Sequence, residues 1–342
     1  MLDETQPYLL SPQLEDSERD RYETAAATDE KKSVYDHCLC AIRCVMERGT
    51  GTHGLLRIGS GDWNDGFDAV DGESVWLSWF FLHVVRRFSA LRPLPSADAA
   101  ALSEFCGALR EKLEEAWNGK WYLRGYYAAG TPLGAAENTE CRIDSIAQSW
   151  AVLSGCAESS RGNTALTSAV STLYDKEHRL IKLFDPPFAG EESPGYIRSY
   201  GPGFRENGGQ YTHGALWLVS ALLKADRADE AWELLSALLP GNKDTAVYKG
   251  EPFVLAADVY AAAGHEGEAG WTWYTGSSGW FLRIVTEELL GLKLRHGKLY
   301  IEPKLPSCWN GYSSVFHGKR IEVQHGNITV DGKEYRSEGI KL

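Results

Sequence analysis

The sequence predicts a mainly α protein with a small antiparallel β module at its C-terminal end. Three observations carry this. Apolar residues recur at helical spacing from about residue 29 to residue 290. The connecting loops are rich in glycine, which numbers 35 in 342 residues. The last fifty residues change to an alternation of apolar and polar side chains, the period of a half-buried strand. Helix and loop alternate regularly without a repeat in residue identity, which suggests helical hairpins packed in a ring or solenoid.

The elements follow in order. Asp29 to Arg48 is helical in period, with Val34, Cys38, Ile42 and Val45 on one face. The segment from Glu73 to Phe88 holds V-W-L-S-W-F-F-L-H-V-V, apolar all round and so a buried helix. At Ser96 the run S-A-D-A opens a capped helix reaching about Trp117. Further helices are expected near 142–156, 162–178, 213–225, 227–239, 252–263 and 277–290, about nine in all. A domain boundary is placed near Leu292, giving a helical part, 1–291, and a β module, 292–342. His325-Gly326-Asn327 and Asp331-Gly332 supply its tight turns. Five or so strands make a poor sandwich alone, so the module is expected to pack on the helices or to lack strands found elsewhere.

Bulk composition narrows the partners. An apolar fraction of 43% and a charged fraction of 24% are those of a soluble globular chain with a sizeable core. A formal charge of −12 argues against nucleic acid and anionic membrane as partners. No window of eighteen apolar residues spans a membrane, and the first residues lack the pattern of a signal peptide. Seven cysteines form no C-x-x-C pair or zinc spacing and are expected to be reduced, Cys40 and Cys44 facing a core, in a cytoplasmic protein. No metal and no cofactor are expected. Twelve tryptophans and sixteen tyrosines fit either a core or stacking on sugar rings.

The densest signal is G-S-G-D-W-N-D-G-F-D, residues 59–68. Glycine at this density marks a loop. Asp62, Asp65 and Asp68 offer acceptors to hydroxyls, and Trp63 offers a flat face to a pyranose ring. A carboxyl held protonated beside an apolar ring can protonate a glycosidic oxygen. A structural turn is the plain alternative. A calcium loop fits poorly, because the alternate acids and distal Glu of an EF-hand are missing.

Two further clusters precede apolar helices. R-E-N-G-G-Q-Y-T-H, 205–213, brings Arg205 and His213 to a helix start, where unpaired N–H groups favour anions. The alternative is an ordinary cap with Thr212 as its capping residue. W-T-W-Y-T-G-S-S-G-W, 271–280, sets Thr275, Gly276, Ser277 and Ser278 at another helix start, an arrangement suited to phosphate. It lacks the G-x-x-x-x-G-K-[ST] of a nucleotide loop, and a capped helix behind a Trp-rich strip is its alternative.

Together these pieces resemble the inverting β-glucoside phosphorylases of glycoside hydrolase family 94. The matching segments are G-D-W-N-D-G at 61–66, I-D-S-I-A-Q-S-W at 143–150, E-N-G-G-Q-Y-T-H at 206–213, E-P-F-V-L-A-A-D-V-Y at 251–260 and G-W-T-W-Y-T-G-S-S-G-W at 270–280. The wording at 143–150 and 206–213 looks most like the phosphorylase-like domain of cyclic β-1,2-glucan synthases and like β-1,2-oligoglucan phosphorylases. The resemblance implies an (α/α)6 barrel followed by a jelly-roll-like β module. It implies Asp65 as general acid, His213, Thr275 and Gly276 as phosphate ligands, and Asp62, Trp63, Glu206 and Gln210 as sugar contacts. Inorganic phosphate is then a co-substrate and a β-glucan oligosaccharide the substrate. Relatives carry more barrel upstream of the acid loop, so this chain is expected to be an N-terminally shortened piece that self-associates as a homodimer or joins a complementing chain.

The chemistry agrees with the residues. Inversion needs a proton for the leaving oxygen and a nucleophile on the opposite face of the anomeric carbon. Phosphate is already anionic, so one protein carboxyl suffices. Two other readings remain at this level: an inverting hydrolase with Glu206 as base, and a glucan-binding fragment without activity of its own.

Overall fold

Helices form where the apolar stripes are continuous enough to be buried. The computed structural model holds nine α-helices among the described residues, which are 1–12, 14–15, 21–190, 193–273 and 275–341. They fall into two units, Met1–Thr50 and Gly51–Leu342.

In the first unit an antiparallel hairpin pairs Thr5–Leu10 with Ala26–Ser33, with an irregularity between Pro7 and Leu9. The second strand runs directly into α1 (Val34–Arg48), whose first turn is capped by Ser33 accepting from the Asp36 N–H at 3.1 Å. The residues expected to open the helix, 29–33, belong to the hairpin instead. Tyr35, Leu39 and Ile42 are buried, while Cys38, Cys40 and Cys44 are exposed. The buried stripe therefore lies about one residue round from the expected one.

The second unit is built from helical hairpins: α2 (Val75–Ser89) with α3 (Ser96–Glu115), α4 (Ser145–Ser154) with α5 (Ser159–Leu173), and α6 (Thr212–Lys224) with α7 (Ala228–Leu238). Helix α4 packs between α2 and α6. α6 is buried from Gly214 through Leu223, and each of its Leu and Val side chains contributes roughly 2 kcal/mol of burial. Ser96 is the first residue of α3 rather than its cap, because Pro95 precedes it and no side chain caps this end. A short α8 (Thr245–Tyr248) follows, then α9 (Thr275–Arg283), which continues as a π-helical turn over Ile284–Leu289.

The helix expected at 252–263 is absent. The backbone there bonds to other segments: Tyr260 N–H to Glu268, Ala261 N–H to Gly203 and Ala257 N–H to Trp271. Tertiary pairing overrides a composition that favours helix.

α2, α4 and α6 each begin directly after a two-residue strand, and each strand is paired to a segment further along the chain. Glu73–Ser74 pairs with Gly125–Tyr126, Ile143–Asp144 with Phe184–Asp185, and Gln210–Tyr211 with Asp258–Val259. These pairings fix three helix N-termini and the loops around them.

After Leu292 the chain forms two small antiparallel sheets. One joins Leu292–Arg295, Lys298–Ile301 and Ile340–Lys341; the other is a meander over Gly311–Phe316, Lys319–Gln324, Asn327–Val330 and Lys333–Glu334. Leu292, Leu299, Ile301, Ile321, Val323 and Val330 form their core. The expected turn at His325-Gly326 is present, both residues at positive φ (49° and 82°), as a two-residue hairpin turn requires.

Candidate active site

The acid loop is shaped by its own short side chains. Asn64 Oδ1 accepts from the Gly66 N–H at 3.1 Å, and Asp65–Phe67 form a single 3-10 turn. Asp62 Oδ1 accepts from the Asn64 N–H at 3.0 Å. Below the loop lies Arg124, fully buried. Its guanidinium holds Asp62 in a two-bond fork, 2.7 Å to each oxygen, and Ser74 donates to the same carboxylate at 2.6 Å. Arg124 Nε also stands 3.3 Å from Asp144 Oδ2, an ion pair whose angle does not make a hydrogen bond. Burial works against the charge on Arg124, but Asp62 and Asp144 outweigh it and hold the guanidinium charged. Asp144 caps α4 through the Ile146 and Ala147 N–H groups. Burial pushes its carboxyl up to about 6, against the opposing pull of Arg124.

Asp62 is thus a tether. Its side chain has no exposed surface and both oxygens are engaged by Arg124, which fixes the loop from below. Gln210 is held by neighbouring segments in the same way. It is 1% exposed, accepts from the Ile181 N–H at 3.0 Å and donates to Thr212 Oγ1 at 3.1 Å. Both residues sit beside the site as supports.

Asp65 points the other way. It is exposed, and the Tyr196 hydroxyl hydrogen-bonds its carboxyl. Burial and that bond together raise the phenol above its usual range, with Glu206 adding to the effect. Tyr196 is held in place from behind. Asp68 Oδ1 accepts its N–H at 2.8 Å, and Gly195 before it has φ 139°, where an added Cβ would stand 2.2 Å from Asp68 Oδ1. Glu206 is paired with Arg205 at 3.3 Å, and Arg205 lies over the rings of Tyr200 and Trp271. Asp258, raised by burial, is bonded through Oδ1 to the Trp271 N–H at 2.8 Å.

A second wall is aromatic. Trp63 of the acid loop meets His213 edge-on at 5.4 Å and Trp217 at 5.0 Å between ring centroids. His213 lies 4.4 Å from Trp217 and 5.7 Å from Trp280 of α9. Trp217 also contacts Trp76 and Trp150, on α2 and α4. Burial lowers His213 to about 4, so its imidazole is neutral at pH 7, and its Nε2 has no hydrogen-bond partner. Thr212 is buried beneath it and does not cap α6. Gly276 is exposed in the first turn of α9. The side chain of Thr275 lies outside the described residues.

The structure therefore brings Asp65, Trp63, Glu206 and His213 to the rim of one region, with α9 joined to it through Trp280. Sequence reading missed Arg124 and Tyr196. Arg124 sits in L-R-G without any local motif, and Tyr196 is one exposed tyrosine among sixteen; only the fold joins them to the acid loop. Among the described residues no group of His, Cys, Asp and Glu could hold a metal ion, and no helix is long and apolar enough to cross a membrane.

Comparison with known proteins adds three findings. The family model described as "Glycosyl hydrolase 94 superfamily, catalytic domain" matches residues 7–291. The chain is 44% identical over 332 residues to cyclic beta-(1,2)-glucan synthase NdvB of Rhizobium meliloti (strain 1021), covering 92% of this chain and 12% of that protein. It is 30% identical over 325 residues to solabiose phosphorylase of Paenibacillus borealis, covering 88% of this chain and 42% of that protein. It thus spans less than half the length of either relative. Among solved structures, a sialidase shares the fold with a TM-score of 0.58 at 12% identity, over 88% of this chain and 29% of that one.

Proposed function

The chain belongs to the glycosyl hydrolase 94 superfamily, and on that premise we propose that it carries out inverting phosphorolysis of a β-linked glucan. The observation behind this is the meeting of Trp63 of the acid loop with His213 in the first turn of α6, and of His213 with Trp280 of α9. In this reading Asp65 gives its proton to the glycosidic oxygen as the bond to the anomeric carbon breaks. Tyr196 orients that carboxyl. A phosphate oxygen attacks the opposite face and α-glucose 1-phosphate leaves with inverted configuration. Neutral His213 donates one N–H to a phosphate oxygen without adding a charge that burial would penalise. The N–H groups at the start of α9, at Thr275 and Gly276, supply further donors.

Trp63 and Glu206 are read as sugar contacts. The likeness to a cyclic β-(1,2)-glucan synthase supports a β-1,2 linkage in the substrate. Pairing with Arg205 occupies Glu206, which disfavours it as the base of a hydrolase. The test is to incubate the chain with linear β-1,2-glucan oligosaccharides with and without inorganic phosphate. Glucose 1-phosphate formed only with phosphate is the expected result. Free glucose released at equal rates in both would replace phosphorolysis with hydrolysis.

A further inference from the structure

About 16 Å along α6 from His213, at 1.5 Å per residue, lies a cavity of about 600 Å³. The C-terminal halves of α2, α4 and α6 form one side of it, and α9, its π-helical turn and the strand Leu292–Arg295 form the other. Six cations line it, Arg87, Lys224, Arg283, Lys293, Arg295 and Lys304, against two carboxylates, Glu287 and Glu288. This reverses the sign of a chain whose formal charge is −12.

Four of the cations are paired: Arg283 with Glu287, Lys293 and Arg295 with Glu302, and Lys304 with Asp226. Arg87 and Lys224 have no carboxylate partner among the described residues; Lys224 Nζ donates only to the Leu153 carbonyl, at 2.8 Å. Glu288 is occupied by Ser220, which donates to it at 2.6 Å. The positive field is felt at His83 on the cavity wall, which burial, Arg86, Lys224 and Arg87 hold at about 4. Trp150 lines the cavity, is 5% exposed and has an indole N–H without a partner. Trp280 adds a second aromatic wall.

We propose that this cavity is a second anion site, behind the aromatic wall of the catalytic region and sharing Trp150 and Trp280 with it, that takes a sugar monophosphate. Two unpaired cations match one phosphate dianion. Two aromatic walls, Trp150 and Trp280, match the apolar face of a sugar ring. A π-helical turn in the wall is the sort of irregularity often found at functional sites. This proposal does not depend on the phosphorolysis reading.

The test is calorimetric titration of the full chain with glucose 6-phosphate, repeated in His213→Ala, in Arg87→Gln and in an Arg87→Gln/Lys224→Gln double variant. Saturable binding is expected to survive His213→Ala, to weaken roughly tenfold in Arg87→Gln, and to weaken further in the double variant, following the usual worth of a charge-assisted hydrogen bond. Arg87 is exposed, so its variant tests the site without disturbing the core. Absence of saturable binding in the parent chain would overturn the proposal. So would binding that is lost in His213→Ala and unchanged in Arg87→Gln, which would move the anion to the other region.

Discussion

The floor and the wall of the candidate site are built on opposite principles. In the floor Arg124, Asp62 and Ser74 satisfy one another at 2.6–2.7 Å. In the wall the indole N–H groups of Trp76, Trp150 and Trp217 and the Nε2 of His213 are buried without partners. A buried unsatisfied donor costs about 1–3 kcal/mol; the floor's own case, Arg124 Nε, faces the opposite charge of Asp144 at 3.3 Å, whereas the donors of the wall have no countercharge beside them. Rigidity and readiness are thereby separated. A carboxylate three positions before the candidate acid is locked, and the wall opposite holds buried donors that no protein group engages.

The largest effect should come from breaking the floor. Arg124→Leu leaves Asp62 and Asp144 buried without a countercharge, at a cost of about 3–5 kcal/mol. Thermal melting should fall by roughly 10 °C, and adding Asp62→Asn should restore part of the loss. A melt within about 2 °C of the parent would mean the floor is not what holds the loop.

Next, the two aspartates should respond in opposite ways. Asp65→Asn is expected to lower phosphorolysis by roughly two to four orders of magnitude, the worth of general acid catalysis, with melting unchanged. Asp62→Asn should lower melting, because it weakens a buried pair. If Asp62→Asn abolished turnover while Asp65→Asn left it intact, the roles of tether and acid would have to be exchanged.

A smaller effect concerns the wall. His213→Ala should raise the phosphate concentration for half-saturation by roughly tenfold, the loss of one hydrogen bond to an anion, while half-saturation by glucan changes little. A phosphate titration at saturating glucan reads this, and an unchanged value would remove His213 from the phosphate site.

The mildest prediction is a pH dependence. His213 and His83 are each held at about 4, against an ordinary value of 6.5. Between those values the unfolded chain binds more protons, so their contribution to stability is whole above pH 6.5 and falls as pH drops toward 4. Asp144, raised to about 6 from 3.8, acts in the opposite sense and strengthens folding as pH falls through 6. Asp258 and Glu288, raised by burial, act with Asp144; the histidine share is isolated by His83→Gln, which should raise melting at pH 4 relative to pH 6.5 by about 3 °C compared with the parent. A change of equal size in parent and variant would show that other groups govern the acid limb.

Legibility in the sequence followed burial. The runs that became α2 and α6 were readable because they are apolar on nearly every face. The Thr5–Leu10 and Ala26–Ser33 hairpin was not, since its strands are almost wholly exposed and show no alternation of period two. The apolar stretch at 252–263 reads as a helix because its pairing partners lie in distant segments of the chain. At the site, Asp62 and Asp65 are alike in local sequence. What separates them is Arg124, sixty-two positions after Asp62, and a tyrosine in a 3-10 turn at 196. Long-range partners of this kind leave no periodic trace.

The two-residue strands that open α2, α4 and α6 have an evolutionary consequence. Each fastens a helix start to a short segment beyond the helical hairpin that follows it, so that the loops joining the helices between the two fastening points can vary in length. Lengthening such a stretch adds little closure entropy, since doubling a loop adds only about 0.6 kcal/mol. The rim of the site can therefore be rewritten one hairpin at a time, with the acid loop and its neighbours left in register. A single scaffold can in this way diverge toward new sugars through insertions in the loops, without altering a helix.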